Sequence, residues 1–368
     1  MLRRGSGFAT LSAAYARGDG FVPTVAESRG PADRPAPYEQ ASGAIRAVVA
    51  VDATTEVQAN LAAFTDRRER GTAFTANRSE GADASVRIVG RGRWGFSALG
   101  YVQTRGFASE FAAVNAARTT ATQTLDQYNT PATGTGARIE IVPPVGAGVD
   151  LRLGADWRRT EGRTQERYTF VNAAPTRRRV AGGMTRTYGA FADASAETGA
   201  LTLTLGGCVD RWRIADGFLR ETPIAPGAAL TDLAFPHRTG TEWTGRAGVA
   251  VSPVSAVTLR GSAYRGWRLP TLNELYRPFR AGADATAANA DHLDLADVVV
   301  LSTNHAGRLL HSWFVSSADV LFRAFFVRRT PTSRPSRSSG SDGQRVSHFR
   351  PRFWGIPRPQ IGRAHAEL

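Results

Sequence analysis

The sequence predicts an all-β fold, an antiparallel transmembrane β-barrel of which the chain supplies about 11–14 strands. Three observations predict it: a two-residue alternation of apolar and polar side chains, a regular succession of short turns and long polar connections, and the absence of any run of 18 apolar residues. A period of two places the apolar side chains on one face of a strand and the polar side chains on the other. Many such strands, joined in this way, are typical of a membrane barrel with an apolar outside and a polar interior.

Two segments carry the alternation most clearly. In one of them, Leu201, Leu203 and Leu205 alternate with threonines. The other, residues 149–158, has acidic and basic residues at its polar positions. Because a wide barrel encloses water or a plug rather than a packed core, the polar positions are predicted to face the lumen. These lumen-facing candidates are Asp150, Arg152, Asp156, Arg158, Thr202 and Thr204.

The strands are predicted in order along the chain, each bounded by turn formers or by a long polar stretch. They cover residues 8–16, 40–51, 55–65, 82–90, 94–105, 136–142, 149–158, 186–197, 200–212, 242–251 and 257–266, and residues 112–126 fit either a strand or a loop. Short turns are predicted at 52–54, 91–93, 143–146, 197–199 and 252–255. Long polar connections are predicted at 17–38, 66–80, 106–135, 159–185 and 213–240. In membrane barrels short turns are periplasmic and long loops extracellular, so this alternation predicts both ends of the barrel.

Composition favours a barrel over a soluble domain with a packed core. The chain of 368 residues has 38 glycines and few large aliphatic residues for its length. No apolar run is long enough for a membrane-spanning helix. All 46 basic residues are arginine, and the one cysteine, Cys208, cannot form an internal disulfide. By its alternation Cys208 shares the lumen face with Asp210 and Trp212.

The chain is predicted to have two parts, because the alternation stops near residue 297. Residues 1–297 are the partial barrel, and residues 298–368 are an irregular basic tail. The tail holds 11 arginines and 3 acidic residues, and so contributes +8 of the net charge of +14. Its Arg/Ser/Pro/Gly-rich part has the composition of a disordered segment. Because it offers no strand to close a barrel, we expect the tail to be disordered or to follow a break in the reading frame.

The most specific motif follows the last predicted strand. Residues 267–280 read Trp-Arg-Leu-Pro-Thr-Leu-Asn-Glu-Leu-Tyr-Arg-Pro-Phe-Arg. Pro270 lacks an N–H and ends strand pairing, Asn273 and Glu274 can cap backbone groups, and Tyr276 supplies apolar bulk where the chain turns. The motif is therefore predicted to be mainly structural. Its members are Arg268, Pro270, Thr271, Asn273, Glu274, Leu275 and Tyr276.

This motif resembles the Arg-x-Pro-Thr-x-x-Glu-Leu-Tyr run that follows a late barrel strand in TonB-dependent outer-membrane receptors. Residues 126–134 and 210–212 resemble other parts of the same family, and the resemblance covers about residues 1–290. It implies an outer-membrane receptor for a scarce, bulky nutrient, such as a ferric siderophore or a cobalamin-like ligand. The intact parent would be energised by the TonB complex.

The resemblance also implies which parts of a receptor to look for. Such receptors carry an N-terminal plug domain and a TonB-contacting segment, and their barrels have about 22 strands. We find neither segment and about half of the strands, so we expect a barrel fragment whose TonB contact lies in a missing N-terminal region. The implied partners are outer-membrane lipid, lipopolysaccharide and a small-molecule ligand such as a metal chelate, with no specific nucleic acid.

Other functional classes remain open at this point. A passive porin-like channel would need no plug, and a loop that folds inward to constrict the barrel would favour it. A barrel-borne enzyme or adhesin would need a catalytic or binding constellation that we do not find. A receptor fragment without function is the remaining alternative.

Several further signals do not support another chemistry. Residues 90–95 match Gly-x-Gly-x-x-Gly, but a dinucleotide site needs a helix directly afterwards, whereas an alternating strand follows. The six histidines show no metal-ligand spacing, so no metal and no cofactor is predicted, and the chain is predicted not to be an enzyme. Arg177, Arg178 and Arg179 are predicted to lie in a long loop, where they are solvated, contact lipopolysaccharide phosphate or attract an anionic ligand.

Overall fold

In a computed structural model of the chain, residues 7–255 and 257–277 are described in full. The backbone alone is described for residues 2–4 and for seven short segments between 279 and 328. The predicted tail, residues 298–368, lies outside the described residues except for the backbone of its short strands, so the division near residue 297 stays a prediction. No helix among the described residues is long and apolar enough to cross a membrane.

Strands make up almost all of the described chain. Thirteen strands of the main sheet are β1 Leu2–Arg4, β2 Gly7–Gly18, β3 Tyr38–Ala50, β4 Thr55–Arg68, β5 Asn77–Arg91, β6 Gly95–Val114, β7 Ala121–Val142, β8 Val149–Val171, β9 Ala174–Thr198, β10 Leu201–Pro223, β11 Thr231–Phe235, β12 Arg238–Val254 and β13 Val257–Arg265. A short 3-10 helix covers Ala26–Ser28, and one α-helix, α1, covers Leu272–Tyr276. The remaining segments are β14 Phe279–Arg280, β15 Thr286–Ala287, β16 Val300–Leu301, β17 Asn304–His305, β18 Arg308–Leu309, β19 Trp313–Phe314 and β20 Arg323–Arg328.

The main sheet has 14 strands, all paired antiparallel, and from β1 to β10 each strand pairs with its neighbour along the chain. Its path runs from β1 to β10 and continues through β12, β13 and β20, while β11 pairs with β10 beside β12. Within the described residues β1 pairs only with β2, and β20 only with β13, so the described sheet is an open path. This antiparallel succession confirms the predicted fold class.

The two faces of the sheet differ in polarity. On one face, Leu11, Ile45 and Leu61 lie side by side on neighbouring strands, and all three are exposed. Farther along the sheet, Leu203 and Leu205 are 47% and 65% exposed on the same face, although both are large and apolar. We call this the apolar face. The opposite face, on which α1 packs, carries the charged residues of the alternating strands, and we call it the α1 face.

Five strands are much taller than the others. Strands β6 to β10 have 20–25 residues each, whereas β2 to β5 have 12–15. A strand needs only about 9–11 residues to cross a bilayer. The taller strands therefore extend well beyond an apolar band, at the end of the sheet that carries the long connections. We call this extension the distal region.

The distal region corrects the predicted long loops. Residues 106–135, 159–185 and 213–240 were predicted as polar connections, but most of them continue the strands of the sheet. The β8–β9 connection is a two-residue turn in which Asn172 and Ala173 both have positive φ, 51° and 62°. Such a turn matches the twist of a hairpin. The strands were missed because charged, polar and small residues occupy both faces of most distal positions, and these interrupt the alternation that reveals a strand.

The short turns are confirmed. Between β3 and β4, the Asp52 carboxylate accepts hydrogen bonds from the backbone N–H of Thr54 at 2.7 Å and of Thr55 at 2.8 Å. Residues 92–94 join β5 to β6 directly, so the Gly-x-Gly-x-x-Gly match lies at a hairpin turn rather than before a helix. All such turns lie at the end of the sheet opposite the distal region.

Candidate functional site

The predicted lumen-facing residues all lie on the α1 face. Strand register places Asp150 beside Ser195, Arg152 beside Asp193, and Arg158 beside Thr187. It also places Thr204 beside Ser195, which brings the candidates of β8 and β10 into one surface. The remaining candidates on this surface are Asp156 and Thr202. The structure therefore brings together the six residues that the alternation grouped.

Ion pairs cross this face between side chains of the same and neighbouring strands. Arg158 Nε lies 3.1 Å from Asp156 Oδ1, and Arg138 Nη2 lies 3.0 Å from Glu140 Oε2. Arg246 Nη2 lies 2.8 Å from Asp193 Oδ1 across β9, β10 and β12. All of these pairs are partly exposed, so each contributes little to folding. Together they give the α1 face a polar surface of paired positive and negative charges, which water or a polar solute can contact.

The motif that follows β13 folds into α1, and its N-terminus is a capping box. The Thr271 hydroxyl accepts a hydrogen bond from Glu274 N at 3.1 Å, and the Glu274 carboxylate accepts one from Thr271 N at 2.7 Å. This reciprocal pair satisfies two N–H groups that would otherwise be free at a helix start. The predicted capping role of Glu274 is thus observed, whereas the side-chain oxygen of Asn273 has no hydrogen-bond partner in the described structure.

Arg268 closes the same turn. Its Nη1 and Nη2 donate to the two oxygens of Glu274 at 2.8 and 2.7 Å, a bidentate arrangement. The Arg268 guanidinium, together with the Thr271 N–H, lowers the pKa of Glu274 to about 2. Pro270 lies between these partners, after the end of β13, where its missing N–H interrupts no ladder. The motif residues therefore hold each other in place, and the predicted structural role agrees with this geometry.

α1 attaches the motif to the sheet through a small apolar core. Leu272, Leu275 and Tyr276 are buried against a cluster on β9 and β10. The sheet residues of this cluster are Ala181, Trp212, Ile214 and Leu219. Phe235 of β11 packs on Tyr276 with ring centroids 5.3 Å apart. This is the only core cluster of buried apolar residues found in the described part of the chain.

Two glycines make room for Tyr276. A Cβ on Gly183 would lie 2.6 Å from the Tyr276 ring, and a Cβ on Gly217 would clash with both its ring and its hydroxyl. Gly217 lies within a register shift on β10, between Ala215 and Phe218. The sheet is therefore shaped to receive the tyrosine of the motif.

Asp210 links the motif to the wall of the α1 face. Trp267 donates its ring N–H to Asp210 Oδ2 at 2.9 Å, and the Cys208 thiol donates to the same oxygen at 3.3 Å. The other oxygen, Oδ1, is buried without a hydrogen bond and lies 4.0 Å from Arg158 Nη2. As the alternation predicts, Cys208, Asp210 and Trp212 share one face. Asp210 thus connects Arg158, one of the predicted lumen-facing residues, to Trp267 at the start of the motif.

A second connection uses fully buried charge in the distal region. Glu166 of β8 is completely buried and forms ion pairs with Arg179 of β9 and, at 3.4 Å to Oε1, with Arg277 directly after α1. Glu221 of β10 is also buried and lies 3.3 Å from Arg177. The prediction that residues 177–179 form a solvated loop is therefore wrong. These residues belong to β9, and two of the three arginines neutralise buried carboxylates.

The loops at the tall end of the sheet are tied to each other. The 19–37 connection contacts the β6–β7 connection through Asp33, whose carboxylate pairs with the Arg118 guanidinium and accepts a hydrogen bond from Gly30 N at 2.8 Å. The Arg118 guanidinium holds the pKa of Asp33 well below its usual range. Arg34 N also donates to Gly71 O of the β4–β5 connection at 2.8 Å. Three connections thus form one rim.

The site offers binding surface rather than reactive chemistry. No group of three or more His, Cys, Asp or Glu residues suited to a metal ion occurs among the described residues. Sequence reasoning found the motif and the polar rows of β8 and β10. It did not select Asp210, Trp267, Glu166 or Arg277 as site residues, and their partners lie 13 to 111 positions away along the chain. For Asp210 the signal is the alternation, which puts it on the same face of β10 as Thr202 and Thr204.

The family comparison agrees with this architecture. A family model described as "TonB dependent receptor-like, beta-barrel" matches residues 11–296. No curated protein sequence matches the chain.

Solved structures share the fold at low sequence identity. The "Copper transporter OprC" superposes with a TM-score of 0.56 and 14% identity, covering 76% of this chain and 44% of that one. The ferric yersiniabactin uptake receptor FyuA from Yersinia pestis gives 0.53 and 13%, covering 72% and 44%. The ferric-catecholate import receptor Fiu from E. coli K12 gives 0.57 and 9%, covering 73% and 52%. The chain therefore spans about half the length of the solved receptors that it matches.

Proposed function

The chain belongs to the TonB-dependent receptor β-barrel family, a family of non-enzymatic transporters of the bacterial outer membrane, and we propose that it forms part of a receptor barrel that takes up a scarce, bulky nutrient. The observation that carries the proposal is a strand pattern with two unlike faces, matched over residues 11–296 by the family model.

We assign the apolar face to lipid and the α1 face to the lumen. Exposed residues such as Leu203, Leu205 and Trp243 are costly in water but favourable in hydrocarbon. Charged residues such as Asp156 and Arg158 are favourable only where water or polar partners reach them. With this orientation the motif and α1 lie inside the barrel, and the rim of connections at the tall end faces the outside of the cell.

The ligand class that we propose is a metal chelate, such as a ferric siderophore, or a cobalamin-like molecule. The lumen wall alternates arginine and carboxylate side chains, which suit a large polar solute with several hydrogen-bonding groups. Similar solved barrels are described as a copper transporter and as receptors for ferric yersiniabactin and ferric catecholate. We further propose that the TonB complex energises uptake through a part of the receptor that precedes the barrel in the relatives.

A passive porin-like channel is the second candidate, because α1 folds against the lumen wall as a constricting segment would. Family membership favours the receptor, and the two functions differ in a simple measurement. A porin conducts ions without an energy source. A TonB-dependent receptor takes up its ligand only when TonB is active.

The experiment is ligand uptake by cells that lack their own receptors and produce the receptor containing this chain. Ferric siderophores of several chemical classes and cobalamin are supplied as radiolabelled ligands, with and without functional TonB. We expect saturable uptake of one ligand class that is lost without TonB. Uptake that persists without TonB, together with steady ion conductance in planar bilayers, would establish the porin-like function instead.

A further inference from the structure

Three arginines from distant parts of the sequence form one row on the apolar face. Strand register places Arg159 of β8 directly beside Arg186 of β9, and Arg186 directly beside Arg213 of β10. Directly opposed side chains lie about 5 Å apart and point to the same face. We call these three residues the arginine row. Like charges in this position repel each other, so the row is unfavourable for folding unless an anion neutralises it.

The row lies immediately outside the apolar band. On β8, the apolar positions run from Val149 to Trp157, a distance of about 26 Å at the usual rise of a strand. These nine residues are within the roughly 9–11 that a tilted strand needs to cross the hydrocarbon core. Trp157 lies beside Tyr188 of β9, and Tyr188 beside Arg211 of β10. The side chains of Trp157 and Tyr188 mark the level of the lipid headgroups. The arginine row occupies the next positions on the same face, two residues farther from the membrane on each strand.

Little protein charge balances the row. Arg159 Nη2 lies 2.5 Å from Glu161 Oε2. Among the described residues, no carboxylate lies within ion-pair distance of Arg186, Arg211 or Arg213. The Nε groups of Arg159 and Arg186 are buried and have no hydrogen-bond partner. The described protein therefore supplies no acceptor for these two N–H groups.

We propose that the arginine row, together with Arg211, binds the phosphate groups of lipopolysaccharide in the outer leaflet of the outer membrane. The proposal rests on the proposed orientation of the barrel, with the apolar face toward lipid and the tall end outside the cell. Guanidinium groups bind phosphate oxygens through paired, charge-assisted hydrogen bonds, which suit arginine better than lysine. The three strands of the row are about 10 Å wide, so one or two phosphate groups can lie across it.

The test compares glycolipid retained by the receptor after extraction from outer membranes in mild detergent. Lipid A phosphate is measured per protein for the wild type and for the double variant R186Q/R213Q. We expect the variant to retain about tenfold less, because two charge-assisted contacts are removed. The double variant R163Q/R220Q is the matched control, since it removes the same charge from the same face at least four residues farther from the membrane. We expect the control to retain as much glycolipid as the wild type.

Two further arms make the result decisive. The variant R186K/R213K keeps the charge without the planar fork, and we expect intermediate retention from a fully folded barrel. Wild-type protein is also mixed with vesicles containing diphosphorylated lipid A, with phosphatidylglycerol vesicles of equal charge, and with inorganic phosphate. Equal binding of both vesicle types, full displacement by inorganic phosphate, or equal retention by R186Q/R213Q and its control would overturn the proposal. Nutrient uptake is measured in parallel, and its loss with glycolipid retention intact would count against the proposed function alone.

Discussion

Leu203 and Leu219 lie on the same strand, β10, sixteen residues apart, yet their surroundings are opposite. Leu203 is 47% exposed on the apolar face, whereas Leu219 is completely buried beneath α1. In the membrane-crossing part of the sheet, no core cluster of the described residues covers leucines such as Leu203, which depend on lipid instead. The distal region has a small core of its own, and two buried carboxylates that are paired with arginines. One strand therefore passes through two environments, and the effect of a substitution depends on which environment it meets.

The largest difference is expected for buried charge in the distal region. Replacing Glu166 by Gln leaves Arg179 buried without its carboxylate, which costs about 3–5 kcal/mol for a buried pair. We expect the distal region to unfold at a lower denaturant concentration, measured by hydrogen exchange of the amides of β8 and β9. Glu80→Gln is the control, because its pair with Arg78 is about half exposed and contributes less than about 1 kcal/mol. Similar losses for the two variants would contradict a separately stabilised distal region.

Two neighbouring residues of β10, Leu203 and Thr204, test which face of the membrane-crossing strands meets lipid. Leu203→Arg places a charge toward lipid and is expected to destabilise the folded barrel by about 2–4 kcal/mol, whereas Thr204→Arg faces the polar wall and should be mild. The measurement is the equilibrium folding of each variant into lipid vesicles. Comparable costs at both positions would show that the faces are assigned incorrectly.

The packing of α1 gives the next effect. Leu275→Ala removes a buried side chain from the only described core cluster, and large-to-small changes of this kind cost about 2–5 kcal/mol, with the lower values where the cavity collapses. We expect the α1 segment to become sensitive to protease while the membrane-crossing strands stay protected. Leu233→Ala, at a position that is 40% exposed, serves as the control. Protease resistance that is unchanged in Leu275→Ala would mean that α1 is held by its polar contacts alone.

The smallest effect concerns pH. Glu274 has its pKa lowered to about 2 by Arg268, so its stabilising contribution is complete above pH 4.5, its ordinary pKa, and is lost as the pH falls toward 2. The pair is nearly half exposed, so the contribution is below about 1 kcal/mol. We expect α1 to exchange its amide hydrogens faster, after correction for intrinsic rates, as the pH falls through this window. Glu274→Gln should remove the pH dependence, and its persistence in that variant would assign it to another group.

The membrane part of the fold could be predicted from the sequence because lipid imposes a rule on every second residue. Leu201, Leu203 and Leu205 alternate with polar residues, and the strand and its facing follow from that alone. The distal strands obey no such rule, since protein covers their buried positions, and these include the carboxylate of Glu166 as well as Leu219. Arg177 and Arg179 therefore resemble a solvated loop, and only their pairing with Glu221 and Glu166 across neighbouring strands reveals a sheet.

The candidate site was predictable to the extent that it is local. The capping box of Thr271 and Glu274 depends on residues three positions apart, so its spacing is visible in the sequence. The contacts of Trp267 with Asp210 and of Arg277 with Glu166 join residues 57 and 111 positions apart, and only the register of the sheet brings them together. The arginine row has the same origin, because its members are separated by 27 residues at each step.

The most direct test of the central claim measures which solvent reaches each side chain along β10. Cys208 is replaced by Ser, single cysteines are introduced at positions 202 to 205, and each is spin-labelled in the receptor reconstituted in lipid vesicles. We expect labels at 203 and 205 to relax with lipid-soluble oxygen and labels at 202 and 204 with a water-soluble nickel chelate. Equal accessibility at all four positions, or the reverse alternation, would contradict a barrel wall with lipid on one side and a polar lumen on the other.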